Sequence, residues 1–249
     1  MITGSSQGLG AALKQLFIAA GDTVVGLCRH PEGNDLYCDV SDEAQVNAAF
    51  AEIAARYGRV DLLVNNAGLG ISGATELLPT DEAQYVMDVD YNGTYYCCRA
   101  ALKLMGRGGK IVNISSACAL FALPYRAVYC AAKAAVNMLS YGLRMELQPH
   151  GIDVVTVCPG DVKTSFTANR KKIGASGRYG DAPVRAAEKI DAREHKRMDC
   201  GKVARKLYGI CRRKRGAMYI VGGKYKVLWF MKRILPTNVF LKATRRFFG

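Results

Sequence analysis

The sequence predicts an α/β fold with a single doubly wound parallel sheet and helices on both faces. Three observations lead there. Short apolar runs alternate with longer helical patterns over the first two thirds of the 249 residues. The runs are β-branched and almost continuously apolar, as parallel strands covered on both faces require. A glycine-rich turn, "TGSSQGLG" at 3–10, stands ahead of the first helical pattern. The length suits one large domain. We place it at 1–223, with a basic helical extension at 224–249.

The elements run in order along the chain. Only Met1 and Ile2 precede Thr3, so the first strand is short. A helix spans 9–20. "TVVGL" (23–27) is the second strand. The next helix covers 42–57, with Ser41 as N-cap and acidic residues in its first turn. "DLLVNN" (61–66) is a strand, and a helix at 81–105 starts from a Thr80 cap. "KIVNIS" (110–115) and "IDVVTVC" (152–158) are strands around a helix at 127–148. Residues 165–200 open with the polar, basic "SFTANRKKIGASGRYGDAP" and are expected to be mobile. "KVARKLYGICRRKRG" is a helix with Val203, Leu207, Ile210 and Cys211 inward. "AMYIV" (217–221) is the last strand. Beyond it, Val227, Leu228, Met231, Ile234 and Leu235 share one helical face, away from Lys226, Lys232 and Arg233. Pro236 breaks that helix. Phe240, Ala243, Thr244, Phe247 and Phe248 form a second stripe opposite Lys242, Arg245 and Arg246.

The net charge of +14 is unevenly spread. Residues 1–160 hold 11 basic and 15 acidic side chains, whereas 161–249 hold 24 and 6. No acidic residue follows Asp199, so the tail suits an anionic partner. Three readings compete there. The tail packs on the body or an oligomer interface, or it lies on an anionic membrane, or it binds nucleic acid. The last ranks lowest, because no nucleic-acid module is recognisable. The nine cysteines form no CxxC pair, and with three histidines no metal site is expected. The odd cysteine count and a start without secretory features predict a reducing cytoplasm, with the inner face of a membrane as the tail's alternative. No apolar run approaches the ~18 residues of a membrane span.

Two features carry chemistry. In "YCAAK" (129–133), Tyr129 and Lys133 are four residues apart, so on a helix they share a face. The ammonium then favours the phenolate and lowers the tyrosine pKa. Such a pair also arises by chance in a chain with 13 Tyr. Gly4, Gly8 and Gly10 would let a turn close, a pyrophosphate approach backbone N–H groups, and a helix pack on the sheet. A plain turn is the alternative.

Together with "CDVSD", "NNAG" at 65–68, "VDYNGT", "IVNISS" and "CPGDVKT", these motifs resemble the short-chain dehydrogenase/reductases, Rossmann-type NAD(P)-dependent oxidoreductases. The likeness covers about residues 3–165. It implies a catalytic set of Asn92, Ser116, Tyr129 and Lys133. Tyr129 would be the general acid, Lys133 would tune it and hold the nicotinamide ribose, Ser116 would polarise the substrate carbonyl, and Asn92 would hold a relay water. Ser115 reads as a structural hydroxyl. Thr3, Gly4, Gly8, Leu9 and Gly10 would cradle the pyrophosphate end of the cofactor, Ser6 would add a hydroxyl to a 2′-phosphate, and Gln7 stands where some NADP-preferring relatives carry a basic residue, so one such contact is missing. Arg29 follows Cys28, which stands at the family's acidic position, and suits a 2′-phosphate; the alternative is a solvated surface arginine. Asp39 and Val40 would meet the adenine, while Asn66, Ala67 and Gly68 would line the ribose and Asn65 steady the sheet. Pro159, Gly160, Val162 and Thr164 would close on the nicotinamide. The short stretch 29–39 leaves no room for the helix that often follows the second strand.

The implied activity is NADPH-dependent reduction of a ketone, or oxidation of the matching alcohol, on a hydrophobic acyl, steroid-like or other lipid-like substrate chosen by 165–200. NAD(H) is the alternative cofactor, and a homodimer or homotetramer the implied assembly. A competing reading is a catalytically silent nucleotide-binding scaffold that acts through its basic tail.

Overall fold

The computed structural model describes residues 1–164, 166, 170–174, 177–192, 197–213 and 216–248. Its strands are β1 (Ile2–Thr3), β2 (Gly26–Cys28), β3 (Leu36–Tyr37), β4 (Leu62–Asn65), β5 (Ile71–Ser72), β6 (Lys110–Ile114), β7 (Asp153–Pro159), β8 (Lys171–Lys172) and β9 (Met218–Val221). Seven form one parallel sheet in the order β3-β2-β1-β4-β6-β7-β9, and β5 pairs with β8 apart from it. Its helices are α1 (Gly8–Ala19), α2 (Glu43–Tyr57), α3 (Thr80–Met87), α4 (Gly93–Leu102), α5 (Ala127–Leu147), α6 (Ala182–Asp191), α7 (Cys200–Arg212), α8 (Gly223–Ile234) and α9 (Thr237–Phe248).

The apolar runs fill both faces of this Rossmann-type sheet. Leu63 and Ile111 turn to one side, onto Val46, Phe50 and Ile53 of α2 and Cys97 of α4. Their neighbours Val64 and Val112 turn to the other, onto Leu13 and Phe17 of α1 and Val203 and Leu207 of α7. Side chains of this kind contribute ~1.5–3 kcal/mol each when fully buried. The strand pattern lacks polar positions because neither face meets water.

Several boundaries differ from expectation. Asp42, not Ser41, caps α2: its Oδ1 accepts from Ala44 N at 2.8 Å and Gln45 N at 3.2 Å. Ser41 instead donates its hydroxyl to Asp39 Oδ1 at 2.7 Å. Thr80 is the first residue of α3, makes no side-chain cap, and follows an extended Pro79. The helix expected at 81–105 is α3 and α4 joined by a π-helical turn, Asp88–Asn92. No helix intervenes between β2 and β3. Within 165–200, residues 165, 167–169, 175–176 and 193–196 lie outside the described residues, and the rest includes β8, a 3₁₀ turn at Gly177–Tyr179, and α6.

The C-terminal stripes divide. Leu228, Met231 and Leu235 pack with buried Tyr225 and Phe240 against Leu120, Phe121 and Leu123. Val227 and Ile234 are 61 % and 58 % exposed, because a packed helix buries a narrower arc than the whole apolar set. Lys232, expected to point away, donates to Leu120 O at 2.6 Å. Among the described residues no helix is long and apolar enough to cross a membrane.

Candidate active site

The chain runs from β1 to β2 and β3 on one side, then returns to β4 on the other. That reversal opens a crevice beyond the carboxyl ends of the strands, where parallel sheets bind ligands. A cavity of about 500 Å³ lies there.

Its floor is the glycine-rich turn. Gly4 and Gly8 have φ of 64° and 55°, which glycine adopts without strain. A Cβ on Gly10 would fall 2.2 Å from Gly4 O, so only glycine lets α1 rise directly beneath the turn. The first turn of α1 carries no acidic residue, leaving its positive dipole end free for an anion. A pyrophosphate fits this cradle. Ser6, Gln7 and Leu9 line the cavity with Gly4. Thr3, Gly8 and Gly10 lie outside the lining. Thr3 is a brace: its Oγ1 accepts from the backbone N of Asn66 and of Ala67, each at 2.9 Å.

Asp35, unremarked in the sequence, secures the turn from behind. It is buried and accepts Ser5 Oγ at 2.9 Å, Gly26 N at 2.9 Å and Lys14 Nζ at 2.6 Å. Its one sequence signal is an acidic residue beside Gly33 and Asn34, in a loop too short to turn it outward.

At the far end of the crevice Arg29 is exposed and donates to the Tyr85 hydroxyl at 3.1 Å; that hydroxyl donates to Asp39 Oδ2 at 3.4 Å. Arg29, Asp39 and Val40 line this end, and Asn66, Ala67 and Gly68 line its middle. Cys28 is buried, its thiol donating to His30 O at 3.3 Å. Asn65 Nδ2 donates to Asn113 Oδ1 on the adjacent strand at 2.8 Å.

Ser116, Tyr129 and Lys133 line the same cavity, as do Pro159, Gly160, Val162 and Thr164. Ser116 follows β6 and accepts Cys118 N at 3.1 Å, which caps the turn Ala117–Ala119. Its hydroxyl is within hydrogen-bonding reach of the Tyr129 phenol. Ser115 Oγ donates to Lys133 O at 3.0 Å and ties α5 to β6. Tyr129 is enclosed, with the ring of Phe166 5.9 Å away. Its pKa reverses the expectation from charge alone. Burial pushes the phenol well above the usual tyrosine value, and Cys118 and Asp90 push the same way; Ser116 and Arg126 oppose them. Cys118 moves oppositely, its thiol drawn down to about 6, chiefly by a hydrogen bond from Cys130.

Asn92 is not brought to this group. Its Nδ2 donates to Asp88 Oδ1 at 2.8 Å, and it is absent from the cavity lining. Asp90 sits beside Lys133 instead, with Oδ2 3.4 Å from Nζ. The sequence held a signal for it: Asp90 shares the inward four-residue spacing of Val86 and Thr94, both buried. The lining also includes the rings of Phe121, Phe166, Tyr225 and Phe248 and the side chain of Leu123, together with the charged Arg126, Asp161, Arg170, Lys171 and Arg197. Among the described residues no cluster of His, Cys, Asp or Glu could hold a metal.

A glycine turn under a helix, a switch-point crevice and a tyrosine–lysine pair define a dinucleotide-dependent oxidoreductase. Comparison with known proteins narrows the class: the family model for short chain dehydrogenases matches residues 1–173. A 3-ketodihydrosphingosine reductase of Bacteroides thetaiotaomicron is 35 % identical, aligned over 100 % of this chain and 97 % of its own. A short-chain dehydrogenase structure from Streptomyces avermitilis superposes with a TM-score of 0.83 at 29 % identity, covering 98 % of this chain and 94 % of the other. One from Burkholderia cenocepacia in complex with NADP gives 0.76 at 25 % identity, covering 97 % and 95 %. The chain belongs to the short-chain dehydrogenase/reductase family, NAD(P)-dependent oxidoreductases acting on CH–OH and C=O groups.

Proposed function

We propose that this protein reduces a ketone on a lipid-like substrate with NADPH, using Tyr129 as the general acid. The observation that carries the reading is the meeting of Tyr129, Ser116 and Lys133 in a cavity that Phe121, Leu123, Phe166 and Phe248 also line. The relative named for 3-ketodihydrosphingosine supports that substrate class. The NADP-bound neighbour and the exposed guanidinium of Arg29 support the phosphorylated cofactor.

Gly4 and Leu9 would hold the pyrophosphate, and Arg29 with the Ser6 hydroxyl the 2′-phosphate, with Gln7 beside them. Asp39 and Val40 would take the adenine, and Asn66, Ala67 and Gly68 its ribose. Lys133 would hold the nicotinamide ribose, and Pro159, Gly160, Val162 and Thr164 would cover the ring. When bound, reduced nicotinamide supplies a hydride to the carbonyl carbon. Tyr129 gives its phenolic proton to the carbonyl oxygen, so C=O becomes CH–OH and a phenolate remains. Ser116 hydrogen-bonds the same oxygen and orients it toward the phenol. Enclosure by Phe166 excludes water and strengthens both contacts. Thr3, Gly8 and Gly10 shape the turn.

The tail reading is part of the proposal. Val227, Phe230 and Ile234 lie three and four residues apart on α8 and are exposed, and the same helix carries the exposed Lys226 and Arg233. With no acidic residue after Asp199, this face suits an anionic lipid surface that would carry the substrate. The family resemblance also supports a homodimer or homotetramer.

The deciding experiment monitors nicotinamide absorbance with a panel of long-chain, steroid and small polar ketones, each with NADPH and NADH. NADPH oxidation by the long-chain ketones is expected. Turnover confined to small polar ketones, or to NADH, would overturn the substrate or cofactor assignment.

A further inference from the structure

That mechanism leaves the buried carboxylate beside Lys133 unused. Asp90 lies in the turn Asp88–Asn92 and is 0 % exposed. Its Oδ1 accepts the backbone N–H of Leu69 at 2.8 Å. Its Oδ2 accepts no hydrogen bond and faces Lys133 Nζ across 3.4 Å. Lys133 is enclosed as well, and its remaining contact is a long 3.4 Å donation to Ile114 O. Gly68 makes the meeting feasible: a Cβ there would fall 2.9 Å from Asp90 Oδ1 and 3.0 Å from Lys133 Nζ. An enclosed carboxylate persists when a cation faces it, so the two form an ion pair.

The charges around Tyr129 come from four elements. Its own helix α5 supplies Lys133, and the residue before that helix is the buried Arg126. The turn Ala117–Ala119 supplies Cys118, and the segment after β6 supplies the neutral Ser116. The turn Asp88–Asn92 supplies Asp90. The ring that covers the phenol, Phe166, is uncharged. Lys133 and Arg126 favour the phenolate. Asp90 and a Cys118 thiolate disfavour it, and of the two only Asp90 lies against the lysine.

We propose that Asp90 offsets the charge of Lys133 and keeps Tyr129 protonated, so that the site is poised to give a proton to a carbonyl rather than to take one from an alcohol. Asp90 acts through Lys133 and is a positioning residue. The inference rests on Tyr129 being the acid. It deepens that reading by naming the favoured direction: fast reduction, with oxidation slow until the phenol ionises. Burial, Cys118 and Asp90 all push the phenol upward, in agreement with the geometry. Burial likewise pushes the Asp90 carboxyl upward, while Lys133 and the Leu69 N–H pull it down.

The test is Asp90→Asn in the full chain, which keeps the side chain's shape and removes its charge. kcat is measured against pH in both directions, with a ketone–alcohol pair that the wild type converts. Without the negative charge the phenolate forms more readily, so the phenol pKa falls. Reduction needs the phenol, and its alkaline limb should move down by about one pH unit, as one nearby charge does. Oxidation needs the phenolate, and below its limb it should speed up about tenfold at a given pH. A merely structural role would lower kcat at every pH and leave both limbs in place, which would overturn the proposal. Should Asp90→Asn fail to fold, the wild type decides. Its reduction rate is expected to hold through neutral pH, and a decline already complete by about pH 7 would refute the assignment. Tyr129→Phe separates this failure from failure of the general-acid reading. If that variant is inactive and the Asp90→Asn limbs stay put, only Asp90's role is lost.

Discussion

Phe240→Ala should unfold the protein well below the wild-type temperature, although residue 240 lies in the basic tail. Phe240 is 5 % exposed, and its ring meets Phe121 edge-on, with centroids 6.1 Å apart. Around it lie Leu120, Leu123 and Tyr225, with Leu228 and Leu235 at the margin. Truncating an enclosed phenylalanine loses its transfer energy and leaves a cavity, together ~3–5 kcal/mol. In a chain of this length each kcal/mol moves Tm by roughly 2–4 °C, so a drop of about 6–20 °C is expected. Phe247→Ala is the matched control: that side chain is 67 % exposed, and a surface change should stay within about 0.5 kcal/mol. Circular dichroism melts of the three proteins decide the matter. Because Phe121 follows Ser116 by five residues and lines the cavity, Phe240→Ala should also raise KM for the ketone. If both variants melted within about 2 °C of wild type, α9 would not be packed on the body and the tail would be a solvated appendage.

Arg29→Ala should weaken NADPH by about ten- to a hundredfold and NADH little, since a charge-assisted contact is lost with the 2′-phosphate alone; equal losses in fluorescence titrations would make Arg29 structural. Gly10→Ala should cost more than tenfold in NADPH affinity, because the new Cβ would lie 2.2 Å from Gly4 O and 2.5 Å from Asn66 Nδ2; unchanged binding would show that the turn can shift freely. Asp35→Ala should destabilise by ~3–5 kcal/mol in urea titrations, leaving Lys14, Ser5 and Gly26 N without their acceptor; a change under about 1 kcal/mol would mean that water replaces it. Phe230→Asp should abolish co-sedimentation with anionic vesicles at low salt while Tm and activity hold, since Phe230 is 58 % exposed; wild type left in the supernatant would end the membrane reading.

The fold was legible because its strands bury both faces, and that pattern is written in single residues: Leu63 with Val64, and Ile111 with Val112. The glycine turn was legible because Gly4, Gly8 and Gly10 each answer a steric demand set by chain order. Tyr129 and Lys133 could be paired from helical spacing alone. The features that the sequence concealed depend on distance in space. Asp35 and Asp90 have only faint signals in the sequence, and it is the folded chain that shows them enclosed. Helix periodicity alone runs straight through 81–105, where the π-helical turn inserts an extra residue and rotates the facing of α4 relative to α3. Tyr129 was expected to be acidified by Lys133, but charge was visible in the sequence and burial was not. The tail's apolar residues are visible in the sequence, yet their spacing does not tell which meet the body and which meet solvent.

Tyr129→Phe tests the central claim most directly, in single-turnover reduction with saturating NADPH and a ketone that the wild type accepts. The change removes one hydroxyl and its proton and leaves the ring against Phe166. The rate should fall by ~10²–10⁴, the usual contribution of a general acid, while NADPH affinity stays within a few fold. A variant that kept a tenth or more of the wild-type rate, with chemistry limiting, would show that the proton comes from another group.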